Sequence, residues 1–367
     1  MRLLILQPCD HDDFAWKYKL EGLARAYRRK GHEAVVRRVT GPEGLPRLLA
    51  GADLVHLQMD GLLNETVKAI AGACRRSGIP IGASFHDFNF RRIGRGGELL
   101  APPGRRTGEL GRFLSGCRWV TAISASLAAE ISRFVPAAAG RIRDVPVGFD
   151  PDEIARVRAV PPARPFILCV GRKLPYKGID VLLMAWAALC DEFDWLDLVV
   201  CGQDAGPEYY PGLARALGIG SRVRFLGLLG HRKTLSLVRS CLFYVQPSRR
   251  ETFGMTVLEA LACGKAVLAT RCGIPEEMVE DGVTGLMAPP RDAAALEAAM
   301  RRLIARPRLR RSLEKGAQAR AGRYRWDRVA EAYLELNGGG EPLAGSPGVP
   351  ARGAGPGSSV GRPAGRR

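Results

Sequence analysis

Long apolar runs, paired cysteines and acidic residues are all in short supply in this chain, and each shortage excludes something. No apolar stretch approaches the roughly 20 residues that a bilayer crossing needs. The N-terminal run 1–6 is too short for the core of a secretory signal and leads into Gln7-Pro8 as a first strand would. A cytoplasmic protein is therefore expected. The nine cysteines contain no C-x-x-C pair, and several sit inside apolar runs (Cys169, Cys201, Cys241, Cys263). That pattern points to free buried thiols in a reducing compartment and against a zinc site. Acidic residues number 37 against 55 Lys and Arg, a net charge of +18. Basic clusters at Arg25-Arg28-Arg29-Lys30, Arg37-Arg38, Arg91-Arg92-Arg95 and Arg105-Arg106 would suit nucleic acid, anionic lipid or an anionic substrate. A generally arginine-rich composition is the alternative. Aromatics make up 7% of the chain and are not interleaved with the basic clusters. No helix-turn-helix, RNA-recognition or zinc-finger pattern is present, which leaves a nucleic-acid-binding protein as a remote alternative.

What is present is a repeat of strand-then-helix units. At 367 residues the chain exceeds one ordinary core, so two domains are expected. Apolar runs at 3–6, 34–39, 53–57, 80–85 and 119–123 alternate with helical stretches. A second series lies at 166–170, 196–201, 223–226, 242–245 and 266–270. Short, nearly continuous apolar strands alternating with helices predict parallel sheets covered on both faces, an α/β fold. The Pro-rich segment 145–164 reads as a linker. The expected organisation is a first domain over 1–155, a second over 156–322, a last helix over 323–337 and a disordered Gly-Pro-Ala-Ser-Arg tail over 338–367.

One spacing carries the most chemistry. In Glu251-Thr252-Phe253-Gly254-Met255-Thr256-Val257-Leu258-Glu259, two carboxylates flank a glycine turn where a strand ends and a helix begins. Ligands of open α/β sheets bind at such strand ends, and a helix start favours an anion. A phosphorylated ligand that also offers hydroxyls, such as a sugar nucleotide, fits. Two plainer readings stand beside it: Thr256 and Glu259 as a capping box, and Glu251 as a solvated loop carboxylate. After the first strand of the second series comes Gly171-Arg172-Lys173-Leu174-Pro175-Tyr176-Lys177-Gly178, whose Arg172 and Lys177 precede a predicted helix near Asp180. Cations there are electrostatically misplaced unless an anion lies between, or the loop is simply solvated. Gly202-Gln203-Asp204-Ala205-Gly206 is another glycine turn at a strand end. In Gly273-Ile274-Pro275-Glu276-Glu277, Pro275 fits the first position of a helix and the glutamates its first turn. Asp150-Pro151-Asp152 has the D-x-D form of a metal motif but reads as a turn.

Together these segments, over about 166–290, resemble retaining glycosyltransferases of family 4. The matching stretches are Val170-Gly171-Arg172, Lys177-Gly178-Ile179-Asp180, Phe225-Leu226-Gly227, Pro247-Ser248, Glu251, Phe253-Gly254, Leu258-Glu259-Ala260, Gly264, Gly273-Ile274-Pro275-Glu276 and Asp281-Gly282 through Thr284-Gly285-Leu286. The first domain is similar more loosely, at Gly31–Val35, Asp53–His56, His86-Asp87, Thr121–Ser124 and Gly148–Asp150. The resemblance implies the GT-B fold: two doubly wound Rossmann-like domains facing across a cleft, with a C-terminal helix crossing back to the first domain. It implies transfer of a hexosyl unit from a nucleotide diphosphate sugar, a UDP- or GDP-sugar, to a glycan, glycolipid or small molecule, with retention and no metal or other cofactor. Arg172 and Lys177 would hold the donor diphosphate. Glu259 would hold the ribose and Glu251 the sugar hydroxyls, while Phe253, Gly254, Met255 and Thr256 would line the sugar–phosphate site. His86 would approach the transferred sugar. The loop 9–16 lacks the Gly-Gly pair usual in the family, so Trp16 and Lys17 are the candidates for the acceptor side. Lys265 stands where a proline is common and Val147 where an asparagine is. The basic first domain would suit peripheral contact with an anionic membrane. A non-catalytic homologue that only binds sugar nucleotides is the alternative.

Overall fold

The computed structural model of the protein describes residues 1–338 except 9–13, 60, 62, 88–91, 94–98, 101–103, 204, 205, 207, 252 and 274. Of residues 14–18, 92, 93, 99, 100 and 104–106 it describes the backbone. From residue 339 on, the tail expected to be disordered lies outside the described residues.

The chain opens with β1 (Arg2–Gln7), β2 (Glu33–Arg38), β3 (Leu54–Met59) and β4 (Ile81–Phe85). A short antiparallel pair, β5 (Arg92–Ile93) and β6 (Leu99–Leu100), comes next, then β7 (Trp119–Ala122) and β8 (Ile142–Asp144). The first sheet has the order β2-β1-β3-β4-β7-β8, parallel throughout. The second half supplies β9 (Phe166–Val170), β10 (Asp197–Cys201), β11 (Val223–Leu226), β12 (Tyr244–Gln246), β13 (Val267–Thr270) and β14 (Gly285–Ala288). Their order is β11-β10-β9-β12-β13-β14, again parallel. Each sheet winds outward from a central strand and then resumes on that strand's other side. The reversals lie between β1 and β3 and between β9 and β12, the places where doubly wound sheets open a crevice.

The central strands are buried along their whole length, as their unbroken apolar runs require. In the second sheet, alternate residues feed two cores: Ile167, Cys169, Leu198 and Val200 on one face, Leu168, Val170, Val199 and Cys201 on the other. The latter core is continuous with that of the first sheet.

The last helix, Trp326–Gly338, crosses back onto the first domain. Its buried stripe is Trp326, Val329, Ala330, Tyr333 and Asn337, a spacing of three and four residues. Trp326 fits between two glycines. A Cβ on Gly22 would lie 2.2 Å from the indole nitrogen, and one on Gly148 would lie 2.6 Å from the ring. Tyr333 Oη meets Ser84 Oγ at 2.8 Å, Ser84 meets Thr121 at 2.7 Å and His56 Nε2 meets Ser84 at 2.8 Å, a polar ladder across β3, β4 and β7. Burial lowers the His56 imidazole to about 3, so it stays neutral. Asn337 Oδ1 accepts from the Trp119 indole at 2.6 Å.

The basic cluster at the end of the first helix, Phe14–Arg29, is partly taken up by this docking. Arg29 pairs with Asp327 at 2.7 Å and Lys30 with Glu331 at 2.5 Å, while Arg25 faces Asp150 and Arg28 faces Glu21. The two passages of the chain between the sheets also hold each other: Phe149 N donates to Tyr324 O, and Trp326 N to Phe149 O.

Asp150-Pro151-Asp152 is not a free turn. Asp150 caps the helix Pro151–Arg156, accepting from Asp152 N at 3.0 Å, and Pro151 takes the first helical position. This helix, hidden in the Pro-rich segment read as linker, is tied to the helix His231–Ser240 by Arg239 donating to Ile154 O and Ser236 donating to Arg158 O. Among the described residues, no helix is long and apolar enough to cross a membrane.

Candidate functional site

The crevice between β9 and β12 brings together the two segments that the sequence singled out. Gly178 makes their contact possible. Its φ is +68°, and a Cβ there would lie 2.0 Å from Pro247 O, so the loop after β9 rests backbone to backbone on the loop after β12. Arg249 N donates to Tyr176 O at 2.8 Å. The Arg249 guanidinium forks onto Asp180 at 2.8 and 2.5 Å, which fastens the second loop to the helix Ile179–Ala187.

Within this frame Lys177 Nζ meets Glu251 Oε2 at 2.6 Å. The same carboxylate oxygen accepts from Gln246 Nε2 at 3.1 Å and Ser248 Oγ at 3.4 Å. With its side chain only 9% exposed, Glu251 is not the solvated loop carboxylate of the plainer reading. Its backbone also bridges to Gly273, so three strand-end turns meet here. Arg172 lies apart from this pair: it is exposed, and its guanidinium donates to Tyr176 Oη at 3.0 Å. Its neighbour Lys173, passed over in the sequence, is buried and donates to the carbonyls of Gly202 and Leu226, tying down the ends of β10 and β11.

The helix Met255–Ala262 begins at Gly254, whose φ of +81° sets the turn, and among the described residues no side chain caps it. The capping-box reading is thereby overturned. Thr256 lies inside the helix and its hydroxyl belongs to a network with Tyr244 Oη at 2.7 Å and Gln246. Glu259 reaches not to the helix start but towards His231, 3.7 Å away. Burial raises the Glu259 carboxyl to about 7, Lys19 opposing the shift and Glu153 reinforcing it. Phe253 is buried and shares a small interdomain pocket with Ile123, Ser124, Glu277, Met278 and Tyr324.

From the first domain, His86 follows the end of β4, its N–H bound to Met59 O at 2.9 Å. Burial holds its imidazole well below the usual range, with Lys19 and His56 adding to the effect, so it is neutral at physiological pH. Lys19 thus acts electrostatically on both His86 and Glu259. Sequence reasoning missed it, although it lies on the same helix as Trp16 and Lys17. The side chains of those two fall outside the described residues. Gln246 and Glu277 were missed as well. Glu277 seemed sufficiently explained as a first-turn residue of Pro275–Met278, yet its carboxylate accepts from Ser126 N at 3.0 Å, Ser126 Oγ at 2.8 Å and Ala125 N at 3.3 Å. It caps a helix of the opposite domain. Lys265 uses its side chain to bind Cys241 O at 2.8 Å. Among the described residues, no group of three or more His, Cys, Asp or Glu is arranged to hold a metal ion.

Residues 150–320 match the family described as glycosyl transferases group 1. A D-inositol 3-phosphate glycosyltransferase of Salinispora tropica is 35% identical over 219 residues, 57% of this chain and 44% of that protein, so the chain spans less than half of this relative's length. One from Frankia alni is 31% identical over 303 residues, covering 77% of this chain and 73% of that protein. In fold, the chain is similar to Anabaena HepE in complex with UDP, with a TM-score of 0.72 at 19% identity over 92% of this chain and all of that one. That likeness shows the GT-B fold.

Proposed function

This chain belongs to the group 1 glycosyltransferases, and we propose that it moves a hexosyl unit from a UDP- or GDP-sugar to an acceptor, with retention at the anomeric carbon. The observation that carries this reading is the Lys177–Glu251 pair, set in the crevice between β9 and β12 beside the helix start at Gly254, which no side chain caps among the described residues. An anion placed there meets backbone N–H groups and a lysine together. In the proposal, Lys177 exchanges Glu251 for the donor diphosphate, and Arg172 swings in from the rim. Glu251, released, takes hydroxyls of the sugar. The backbone of Phe253–Thr256 faces the phosphates, Glu259 the ribose, and neutral His86 the transferred sugar. Trp16 and Lys17 are assigned to the acceptor side. The leaving phosphate takes the acceptor's proton in a front-face displacement. Leaving-group charge is met by Lys177, Arg172 and helix N–H groups, so activity is expected to survive a chelator such as EDTA. Of the three acceptor classes, glycan, glycolipid and small molecule, the name of the relatives puts inositol phosphate first to be tried.

The test is a screen against UDP-, GDP-, ADP- and dTDP-sugars that records thermal shift and slow donor hydrolysis together. Stabilisation and hydrolysis with one donor are expected. Binding that never led to hydrolysis or transfer would favour the non-catalytic homologue, and no binding at all would refute the reading.

We also propose a cytoplasmic protein in peripheral contact with anionic lipid. The side chains of the basic clusters at 91–95 and 105–106 lie outside the described residues; among the described ones, exposed Arg37, Arg47, Arg75 and Arg76 are assigned to the contact. Co-sedimentation with phosphatidylglycerol vesicles is expected to fall as salt rises. Absence of co-sedimentation at low salt would exclude the contact.

A further inference from the structure

The surroundings of Glu259 hold more than a ribose contact requires. His231, the first residue of the helix His231–Ser240, stands between two carboxylates. Its Nδ1 lies 3.7 Å from Glu259 Oε1, and its Nε2 lies 3.7 Å from Glu153 Oε1 on the helix Pro151–Arg156. All three side chains are mostly withdrawn from water, with exposures of 11%, 20% and 29% for Glu259, His231 and Glu153. Three further groups face them. Lys19, from the helix Phe14–Arg29, favours ionised Glu259, and Arg156 favours ionised Glu153. The Cys263 thiol, pushed up to about 12 by burial and then by Glu259, stays uncharged. Burial raises Glu259 and Glu153 and lowers His231. Near neutrality a proton therefore rests in part on Glu259.

Ribose hydroxyls donate, and an ionised carboxylate accepts from both more strongly than a carboxyl that keeps its proton. We propose that His231 is a positioning residue that takes this proton when the donor's ribose binds, so that Glu259 becomes ionised without release of a proton to solvent. The two side chains close from 3.7 Å to hydrogen-bonding distance as the ribose docks, the O–H bond of the Glu259 carboxyl breaks and an N–H bond forms at His231 Nδ1. The imidazole starts as the tautomer whose Nε2–H points at Glu153, and it ends as an imidazolium between two carboxylates. Net charge and proton count are unchanged. Glu153 is explained at the same time, as the second carboxylate that stabilises the imidazolium. The inference rests on the assignment of Glu259 to the ribose.

UDP-glucose and GDP-glucose serve as probes, because their diphosphates carry no group that titrates near neutrality. Titration calorimetry in two buffers of different ionisation heat counts the protons released on binding. The wild-type protein is expected to release none, and its Kd to stay level from about pH 8 down to about pH 6. In His231→Gln the proton has to leave for solvent, so Kd is expected to rise about tenfold per pH unit below about pH 7. Glu259→Gln should bind more weakly at every pH, with a flat profile. Release of a proton by the wild type, or parallel profiles for the wild type and His231→Gln, would overturn the role of His231. The wild-type count decides this even if the variant fails to fold. Unchanged affinity in Glu259→Gln, or no binding of either probe, would instead refute the ribose assignment.

Discussion

Lys177→Met is expected to lower kcat on the order of 10²–10³-fold, the usual loss when one preorganised donor to developing charge is removed. The charge at stake is that of the leaving nucleotide diphosphate. Lys177 is held for this task by short-range structure: its side chain is 15% exposed, and its loop is pinned by Gly178 against Pro247 and by Arg249 on Asp180. The same substitution leaves the Glu251 carboxylate with Gln246 and Ser248 but without its cation, so stability should also fall, by about 1–3 kcal/mol. The two effects can be separated. Lys177→Met combined with Glu251→Gln removes the unpaired charge, so the double variant is expected to recover stability while transfer stays lost. Urea unfolding and steady-state kinetics on the same preparations would show this. A double variant that regained activity would mean that Lys177 matters only as the partner of Glu251.

Trp326→Ala is expected to lower unfolding stability by about 3–5 kcal/mol, the range for removing a large buried aromatic. Trp326 is 4% exposed and fills the space that Gly22 and Gly148 leave open, at the point where the chain returns to the first domain. The Arg29–Asp327 and Lys30–Glu331 pairs are surface contacts and cannot compensate for it. The helix that Trp326 starts spans the polar ladder beneath β4, and β4 carries His86 at its end. A fall in kcat/KM should therefore accompany the loss of stability. Gly22→Leu should act in the same direction by expelling the indole. A loss of less than about 1 kcal/mol for Trp326→Ala in denaturant unfolding would show that the crossing helix is anchored elsewhere.

Much of this arrangement was legible beforehand because it follows from local pattern. Unbroken apolar runs marked the central strands, and the glycine turns at their ends marked the crevice. Lys177 and Glu251 lie 74 residues apart, but the parallel topology puts both at the ends of adjacent strands. Two edge strands, β8 and β14, escaped notice for a physical reason. β8 is only Ile-Arg-Asp, and β14 opens on Gly285, whose Cβ would lie 2.4 Å from Val267 O, so neither reads as an apolar run. The helix Pro151–Arg156 was obscured by the very proline that begins it. Hardest to foresee were contacts whose partner lies far away in sequence. Glu277 looked complete as a first-turn acid, yet it caps a helix start 151 residues away. Arg29 and Lys30 looked like part of a surface for anions until the last helix brought Asp327 and Glu331 to them. Glu259 fitted a local capping box, and only the fold shows that it turns instead to His231.

The central claim is that the nucleotide diphosphate binds where Lys177 now holds Glu251. A crystal structure of the protein with UDP tests it most directly. The account predicts the diphosphate over the N–H groups of Phe253–Thr256, Lys177 Nζ moved from Glu251 to a phosphate oxygen, and the ribose hydroxyls on Glu259. UDP bound elsewhere, or bound there with the Lys177–Glu251 pair intact and Glu259 untouched, would contradict it.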